Sequence, residues 1–168
     1  MKILKISLLV LFSFFAISFV NAQEKPKSPP EKATGTINGA TIQINYCSPS
    51  VKGRKIWGEL VPFDKVWRAG ANEATTFETD KDLTIEGSKL PAGKYSFFVI
   101  PNEKQCILVF NKEAKQWGAY KYNEKEDQLR VTVKPKVAKT SAEQLVYVIN
   151  AKDVVLSWDN WDIGFKVK

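Results

Sequence analysis

The segment from Tyr46 to Phe77 concentrates the side chains with the greatest capacity for chemistry. It holds two of the five tryptophans and two of only three arginines, in a chain whose other basic residues are lysines. An arginine offers a planar fork of five donors, so its use in a lysine-rich chain indicates that this geometry matters. With a ring, an amide and a carboxylate nearby, such forks can hold a neutral polyol or clamp a ligand carboxylate or phosphate. The polar and aromatic candidates here are Arg54, Trp67, Arg68, Asn72 and Glu73.

The same residues also have a purely structural interpretation. The loop from Ser48 to Asn72 spans about 25 residues, and a loop of that length in a compact domain is functional or carries its own local structure. Trp57, Phe63 and Trp67 can be its hydrophobic anchors. Arg68 can then pair with a nearby carboxylate. Both interpretations stay open, since a braced loop can still present a few free donors.

A second cluster of the same kind follows later in the chain. Trp117, Tyr120, Asp127 and Arg130 again combine aromatic rings, a carboxylate and a guanidinium. Positions three apart in a regular strand face opposite sides, so Asp127 and Arg130 are not expected to pair unless a bulge intervenes. We therefore expect the two clusters to complement each other, with Asp127 bound to Arg54 or Arg68 and Arg130 bound to Glu73.

Few catalytic schemes fit this composition. The chain has no histidine, so it cannot form a histidine-containing catalytic triad, a histidine metal site or a histidine general base. Two cysteines and no histidine cannot form a four-ligand zinc site without two carboxylates. We predict no metal, no cofactor and no catalytic residue. The enzymatic alternative is a glycosidase-type hydrolase that uses Glu73 and Asp127, which requires two carboxyls about 5–10 Å apart in one cleft. Cys47 and Cys106 are compatible with a disulfide or with two separate thiols.

The N-terminus has the pattern of a secretion signal. Lys2 and Lys5 precede an uncharged apolar run, and Val20-Asn21-Ala22 offers a cleavage site, so residues 1–22 are predicted to be removed. The run of about 15 residues is short of the roughly 20 that span a membrane, so no stable span is expected after cleavage. We expect an exported protein of the periplasm, cell surface or medium. Its net charge of +7 is spread among acids, which argues against nucleic acid as a partner.

The rest of the chain is predicted to be one all-β domain. Residues 23–32 contain three prolines and read as a flexible tether, and residues 33–168 alternate apolar and polar positions nearly throughout. Asn38-Gly39 predicts a hairpin, and Trp158 to Asp162 is interpreted as a hairpin turn between two C-terminal strands. Nine or ten short strands favour a single antiparallel, jelly-roll-like β-sandwich. The pattern does not give an oligomeric state.

Three segments together resemble a known family. They are SPSVKGRKIWGELVPFDKVWRAGANEATTF, LPAGKYSFFVIP and FNKEAKQWGAYKYNEKEDQLRV, and they occur in this order. They resemble exported proteins of Gram-negative bacteria grouped as domain of unknown function 2911. The resemblance implies a β-rich exported domain and carries no activity, cofactor or catalytic residue. It places all three arginines on motif positions, whereas the two cysteines are not part of the pattern.

The leading functional hypothesis is a non-catalytic binding module for a small polar or glycan-like ligand. Polar contacts would come from Arg54, Arg68, Asn72 and Glu73, and the stacking face from Trp67 or Trp117. The alternatives are the carboxylate hydrolase and a structural or partner-binding protein of the cell envelope, in which the motifs only brace the fold.

Overall fold

A computed structural model describes residues 27–168, and the predicted signal peptide lies outside them. The described chain contains ten β-strands and one short 3-10 helix, Glu124–Glu126. The first strand begins at Pro30, so residues 30–32 of the predicted tether belong to it. The strands are β1 Pro30–Ile37, β2 Ala40–Cys47, β3 Thr76–Thr79, β4 Leu83–Ile85, β5 Ser88–Leu90, β6 Gly93–Pro101, β7 Cys106–Asn111, β8 Asp127–Val133, β9 Lys136–Ile149 and β10 Asp153–Lys166.

Six strands form the main antiparallel sheet, in the order β1-β2-β3-β6-β7-β8. Its first hairpin turns at Asn38 and Gly39, whose φ angles of 50° and 77° match the left-handed positions that a two-residue turn requires. Apolar residues of β2 alternate with polar ones, so Ile42, Ile44 and Tyr46 are buried on one face. The sequence pattern predicts this alternation directly.

The second layer is built on the long pair of β9 and β10, each of 14 residues. The β4–β5 hairpin extends it, because Thr84 and Lys168 exchange backbone hydrogen bonds of 2.7 and 2.9 Å. On its other side, the backbone N–H of Leu145 donates to the carbonyl of Pro49 at 3.0 Å, which adds the start of the long loop. The layer therefore includes the start of the long loop that the sequence singles out.

The core lies between the two layers and is rich in aromatic side chains. Phe77, Phe97 and Phe110 of the main sheet meet Phe165 of β10, with ring centroids 5.8–6.3 Å from Phe165. All four side chains are at most 2% exposed. The predicted all-β antiparallel sandwich of nine or ten strands is confirmed.

The predicted turn at Trp158–Asp162 is wrong, because β10 continues through it. The strand stays paired with β9 by absorbing register shifts on both sides of Asp159, whose φ is 51°. Bulges of this kind let a strand bend without ending. Trp158, 1% exposed, consequently lies in the core. No helix within residues 27–168 is long and apolar enough to span a membrane.

The outer face of the main sheet carries a row of polar residues that crosses all six strands. Each member is the register partner of the next, from β1 to β8: Lys32, Asn45, Thr76, Ser96, Asn111 and Asp127. The loop after β7 covers the far half of this row, where Ser96 and Asn111 are fully buried. The near half stays open to solvent.

Candidate functional site

The tryptophans of the long loop are part of the core. Trp67 exchanges two backbone hydrogen bonds of 2.9 Å with Val99 of β6, and its indole ring stacks on Trp158 at 5.7 Å. Trp57 stacks on Trp161 at 4.6 Å. Trp67 is only 9% exposed, so its ring is not available to stack on a ligand. The bracing interpretation is correct for these tryptophans.

The arginines of the loop are not where the predicted pairings require them. Arg54 Nε and Nη2 donate to the carbonyls of Val51 and Ser50 at 3.0 and 2.5 Å, so the side chain holds its own turn together. Arg68 is half-buried, and its Nε has no hydrogen-bond partner among the described residues. Neither guanidinium pairs with Asp127 in the described part of the chain, so that expected pairing is wrong.

The loop ends in a tight turn at Ala69–Asn72, which hydrogen bonds from Tyr147 and Thr75 hold in place. The Ala69 carbonyl accepts from Tyr147 Oη at 2.8 Å and from Thr75 Oγ1 at 2.9 Å. Ala69 has a left-handed φ angle of 52°, which costs free energy in alanine, and Asn72 has one of 58°, which asparagine tolerates better than most residues. At Gly70 a Cβ would lie 2.8 Å from Thr75 Oγ1, so no larger residue fits. The turn is thus a fixed base for Asn72 and Glu73, which are exposed.

Glu73 lies directly opposite Trp117 in a short antiparallel bridge. The bridge is flanked by hydrogen bonds from Ala74 N to Gln116 O, 2.9 Å, and from Gly118 N to Asn72 O, 3.1 Å. In this type of pair the two side chains project from the same side and are close together. The first and last sequence motifs therefore meet as predicted, through their backbones rather than through ion pairs.

The side chains of this bridge are open to solvent. Trp117 is 63% exposed, and Glu73 beside it is also exposed. Tyr120 is 86% exposed, with its ring over Gly118, where a Cβ would lie 2.9 Å from it. We call Asn72, Glu73, Trp117 and Tyr120 the aromatic–carboxylate surface. The rings of Trp117 and Tyr120 are exposed within three residues of each other, and contiguous exposed apolar surface is characteristic of interaction sites.

A cleft of about 900 Å³ adjoins this surface, with Glu73 in its wall. Its floor includes the open half of the polar row, where Asn45 Nδ2 and Thr76 Oγ1 are joined only by a long hydrogen bond of 3.4 Å. Both groups therefore keep capacity for another partner. We call this cavity the sheet cleft; its lining is Pro30, Glu31, Lys32, Asn45, Tyr46, Cys47, Glu73, Ala74, Thr76, Lys94, Ala114 and Lys115.

Asp127 lies elsewhere, beneath the loop that follows β7. Its side chain is 6% exposed and accepts from Asn111 Nδ2 at 2.8 Å and from Tyr122 Oη at 2.5 Å. Arg130 Nη1 lies 3.5 Å from Asp127 Oδ2 and also pairs with Glu124. The predicted pair of Arg130 and Glu73 is therefore wrong. Burial and the neighbouring carboxylate raise the pKa of Tyr122 well above its usual range.

Glu73 and Asp127 therefore do not share one cleft, as the glycosidase-type hydrolase would require. Glu73 faces the sheet cleft, whereas Asp127 has both oxygens occupied and does not line that cleft. A general acid or base must reach the proton it transfers, which Asp127 does not do here. Among residues 27–168 no group of three or more acidic or cysteine side chains is placed to hold a metal ion.

The two cysteines are free thiols, so the structure contains no Cys47–Cys106 disulfide. Cys47 ends β2 and Cys106 begins β7, and β3 and β6 lie between those strands. Neighbouring strands are about 4.8 Å apart, so β2 and β7, which are three such spacings apart, hold the two cysteines beyond the reach of a disulfide. Burial raises the pKa of the Cys106 thiol to about 11, which makes it unreactive.

Sequence reasoning did not find most residues of the sheet cleft. Lys32, Asn45, Thr76 and Lys115 come from four separate segments, and each looks like an ordinary surface position in its own strand or loop. Strand register brings Lys32, Asn45 and Thr76 together, and the loop after β7 adds Lys115. The one signal in the sequence is the alternation of β2, which identifies the polar side of the strand that faces away from the core and carries Asn45.

The fold and the surface define a two-layer antiparallel β domain that carries an exposed tryptophan paired with a carboxylate. A family model described as Protein of unknown function (DUF2911) matches residues 28–167. The chain belongs to this family, which confirms the resemblance seen in its motifs. No curated protein and no solved structure matches the chain.

Proposed function

We propose that the protein is a non-catalytic binding module for a small polar or glycan-like ligand. The observation that carries the proposal is the Glu73–Trp117 pair, in which a largely exposed indole stands directly opposite an exposed carboxylate. Glu73 lies in the wall of the sheet cleft, which is large enough for a small ligand, and Trp117 lies beside Glu73 outside the cleft.

The chemistry of the pair suits a polyol. The face of the Trp117 ring can pack against the apolar C–H face of a sugar ring, and Tyr120 offers a second ring three residues further on. The Glu73 carboxylate accepts hydrogen bonds from hydroxyl groups, and the Asn72 amide both donates and accepts. A site that offers donors, acceptors and an aromatic face together is typical of proteins that bind carbohydrate-like ligands.

The support beneath this surface favours binding further. The turn at Ala69–Asn72 is fixed by Tyr147, Thr75 and the close approach at Gly70. A turn that is already rigid has little backbone entropy to lose when a ligand binds, so more of the contact energy appears as affinity.

The proposal includes a location outside the cytoplasm, in the periplasm, at the cell surface or in the medium. It is supported by the signal-like pattern of residues 1–22. A mixed-charge surface without basic blocks suits a soluble ligand better than nucleic acid.

A partner protein is the second candidate occupant. Exposed tryptophan and tyrosine side chains are enriched at protein interfaces, and Trp117 and Tyr120 are both strongly exposed. In that case the surface would bind a cell-envelope protein, and the neighbouring cleft would have no occupant of its own.

A ligand screen tests the proposal. The purified protein is assayed by thermal shift and on a glycan array against sugars, organic acids and short peptides. We expect a ligand-dependent rise in melting temperature for at least one polar or saccharide ligand, because a ligand that binds only the folded state stabilises it. The absence of any shift or array signal across all three classes would overturn the proposal.

A further inference from the structure

The charges of the sheet cleft carry information about the ligand. Lys94 Nζ lies 3.3 Å from Glu78 Oε2, so this cation has a partner within the protein. No carboxylate lies within 4.0 Å of the amino groups of Lys32 and Lys115 in the described part of the chain. Both lysines line the cleft, where their charge is available to a ligand.

The acidic residues of the cleft do not cancel this charge. Glu31 alternates with Lys32 along β1 and is the register partner of Tyr46, so it is directed to the opposite face of the sheet. Glu73 is therefore the one unpaired carboxylate that the described lining offers on the side of Lys32 and Lys115. The open face of the cleft has an excess of positive charge.

The neutral groups between these charges are those that bind hydroxyls. Asn45 and Thr76 are register partners on the sheet floor, and Lys32 is the register partner of Asn45 on the other side. Neighbouring strands lie about 4.8 Å apart, so the side chains of Lys32, Asn45 and Thr76 leave the sheet side by side at this spacing. A cation thus stands beside two hydroxyl-binding groups along one line.

We infer that the ligand is an acidic saccharide, with a uronate-type sugar ring in the sheet cleft. Its carboxylate binds to the amino groups of Lys32 and Lys115, and its hydroxyls bind to Asn45, Thr76 and Glu73. The next sugar ring stacks on Trp117 outside the cleft. This inference rests on the proposed binding function and adds the chemical class of the ligand.

A matched pair of ligands tests the inference. The affinity of the whole protein is measured by titration calorimetry for a galacturonate trisaccharide and for its fully methyl-esterified form, which has the same shape without the charge. We expect the acid to bind at least about tenfold more tightly at low salt, because an ionised ligand group gains charge-assisted hydrogen bonds. Added salt should weaken the acid more than the ester.

Variants of the lysines complete the test. In the Lys32→Gln/Lys115→Gln double variant we expect the preference for the acid to be lost, while Lys139→Gln, an exposed lysine outside the cleft, keeps it. Both substitutions are at exposed positions, so the fold is retained. Equal affinity for acid and ester, or an acid preference that survives in the double variant, would overturn the inference. In either case the binding function itself would stand, whereas no binding of any sugar, organic acid or peptide would overturn both.

Discussion

Asp127 and Arg130 lie three residues apart on β8, yet Arg130 Nη1 approaches Asp127 Oδ2 to 3.5 Å. In a regular strand these side chains would face opposite sides. A register shift makes the contact possible: Phe110 pairs with Leu129, but the next residue, Asn111, pairs with Asp127. The extra residue between them is a β-bulge, which redirects the Asp127 side chain under the covering loop.

The Asp127 cluster is expected to stabilise the fold. Asp127→Ala should lower the free energy of unfolding by about 2–3 kcal/mol, because it removes charge-assisted hydrogen bonds from Asn111 and Tyr122. The neighbouring Glu126→Ala is the control, since its side chain is 46% exposed and its ion pair with Lys112 is a surface one. Urea denaturation of both variants measures the difference, and equal stability would contradict a structural role for Asp127.

Stability is expected to fall at alkaline pH. Burial raises the pKa of Tyr147 well above its ordinary value of 10.0 and also raises the pKa of Tyr46. A raised folded-state pKa gives a contribution to stability that is complete below about pH 10 and is lost as the pH rises further. The urea midpoint should therefore decrease as the pH rises above about 10.

Tyr147→Phe is the control for this pH dependence. The variant lacks the hydroxyl, so it should lose about 1 kcal/mol at neutral pH through the bond to Ala69 and show a shallower alkaline decrease. If the urea midpoint of the variant fell with pH as steeply as that of the unaltered protein, Tyr147 would not be the cause of the alkaline loss of stability.

The two thiols are expected to differ in reactivity. In the folded protein a thiol reagent should modify Cys47, which is half-buried at the cleft wall, and leave Cys106, which is fully buried with a pKa of about 11. Denaturant should expose the second thiol. Mass spectrometry after labelling identifies the modified residue, with Cys47→Ser as the control that should show no reaction in the folded state. A folded protein in which neither thiol reacts, with a mass that indicates a disulfide, would contradict the structure.

Two tryptophans provide a matched comparison of core and surface. Trp67→Ala should lower the free energy of unfolding by about 3–5 kcal/mol, because it leaves a cavity beside Trp57 and Trp158. Trp117→Ala should change it by less than about 0.5 kcal/mol, since the ring is 63% exposed. Thermal melting of the two variants separates these outcomes, and a similar loss in both would mean that Trp117 also supports the fold.

The layered fold follows from sequence periodicity to a large extent. The alternation of Ile42, Ile44 and Tyr46 predicts β2 and its buried face, and Asn38-Gly39 predicts the first hairpin. The pattern fails where strands bend. The bulges around Asp159 keep β10 continuous through a segment whose Asp and Asn residues are typical of a turn.

The candidate site follows from sequence only in part. The two motifs contain Glu73 and Trp117, which the fold brings together, but local composition does not separate a buried Trp67 from an exposed Trp117. Burial depends on what packs against a side chain from distant segments, such as Trp158 in β10. The polar floor made by Asn45 and Thr76 depends in the same way on strand register.

The most direct measurement of the central claim is the affinity of Trp117→Ala and Glu73→Gln for the strongest ligand found in the screen. The proposal predicts that each variant melts like the unaltered protein and binds at least about tenfold more weakly, a loss of about 1.4 kcal/mol. Retained affinity in both variants, with the fold intact, would contradict a binding site at the Glu73–Trp117 pair.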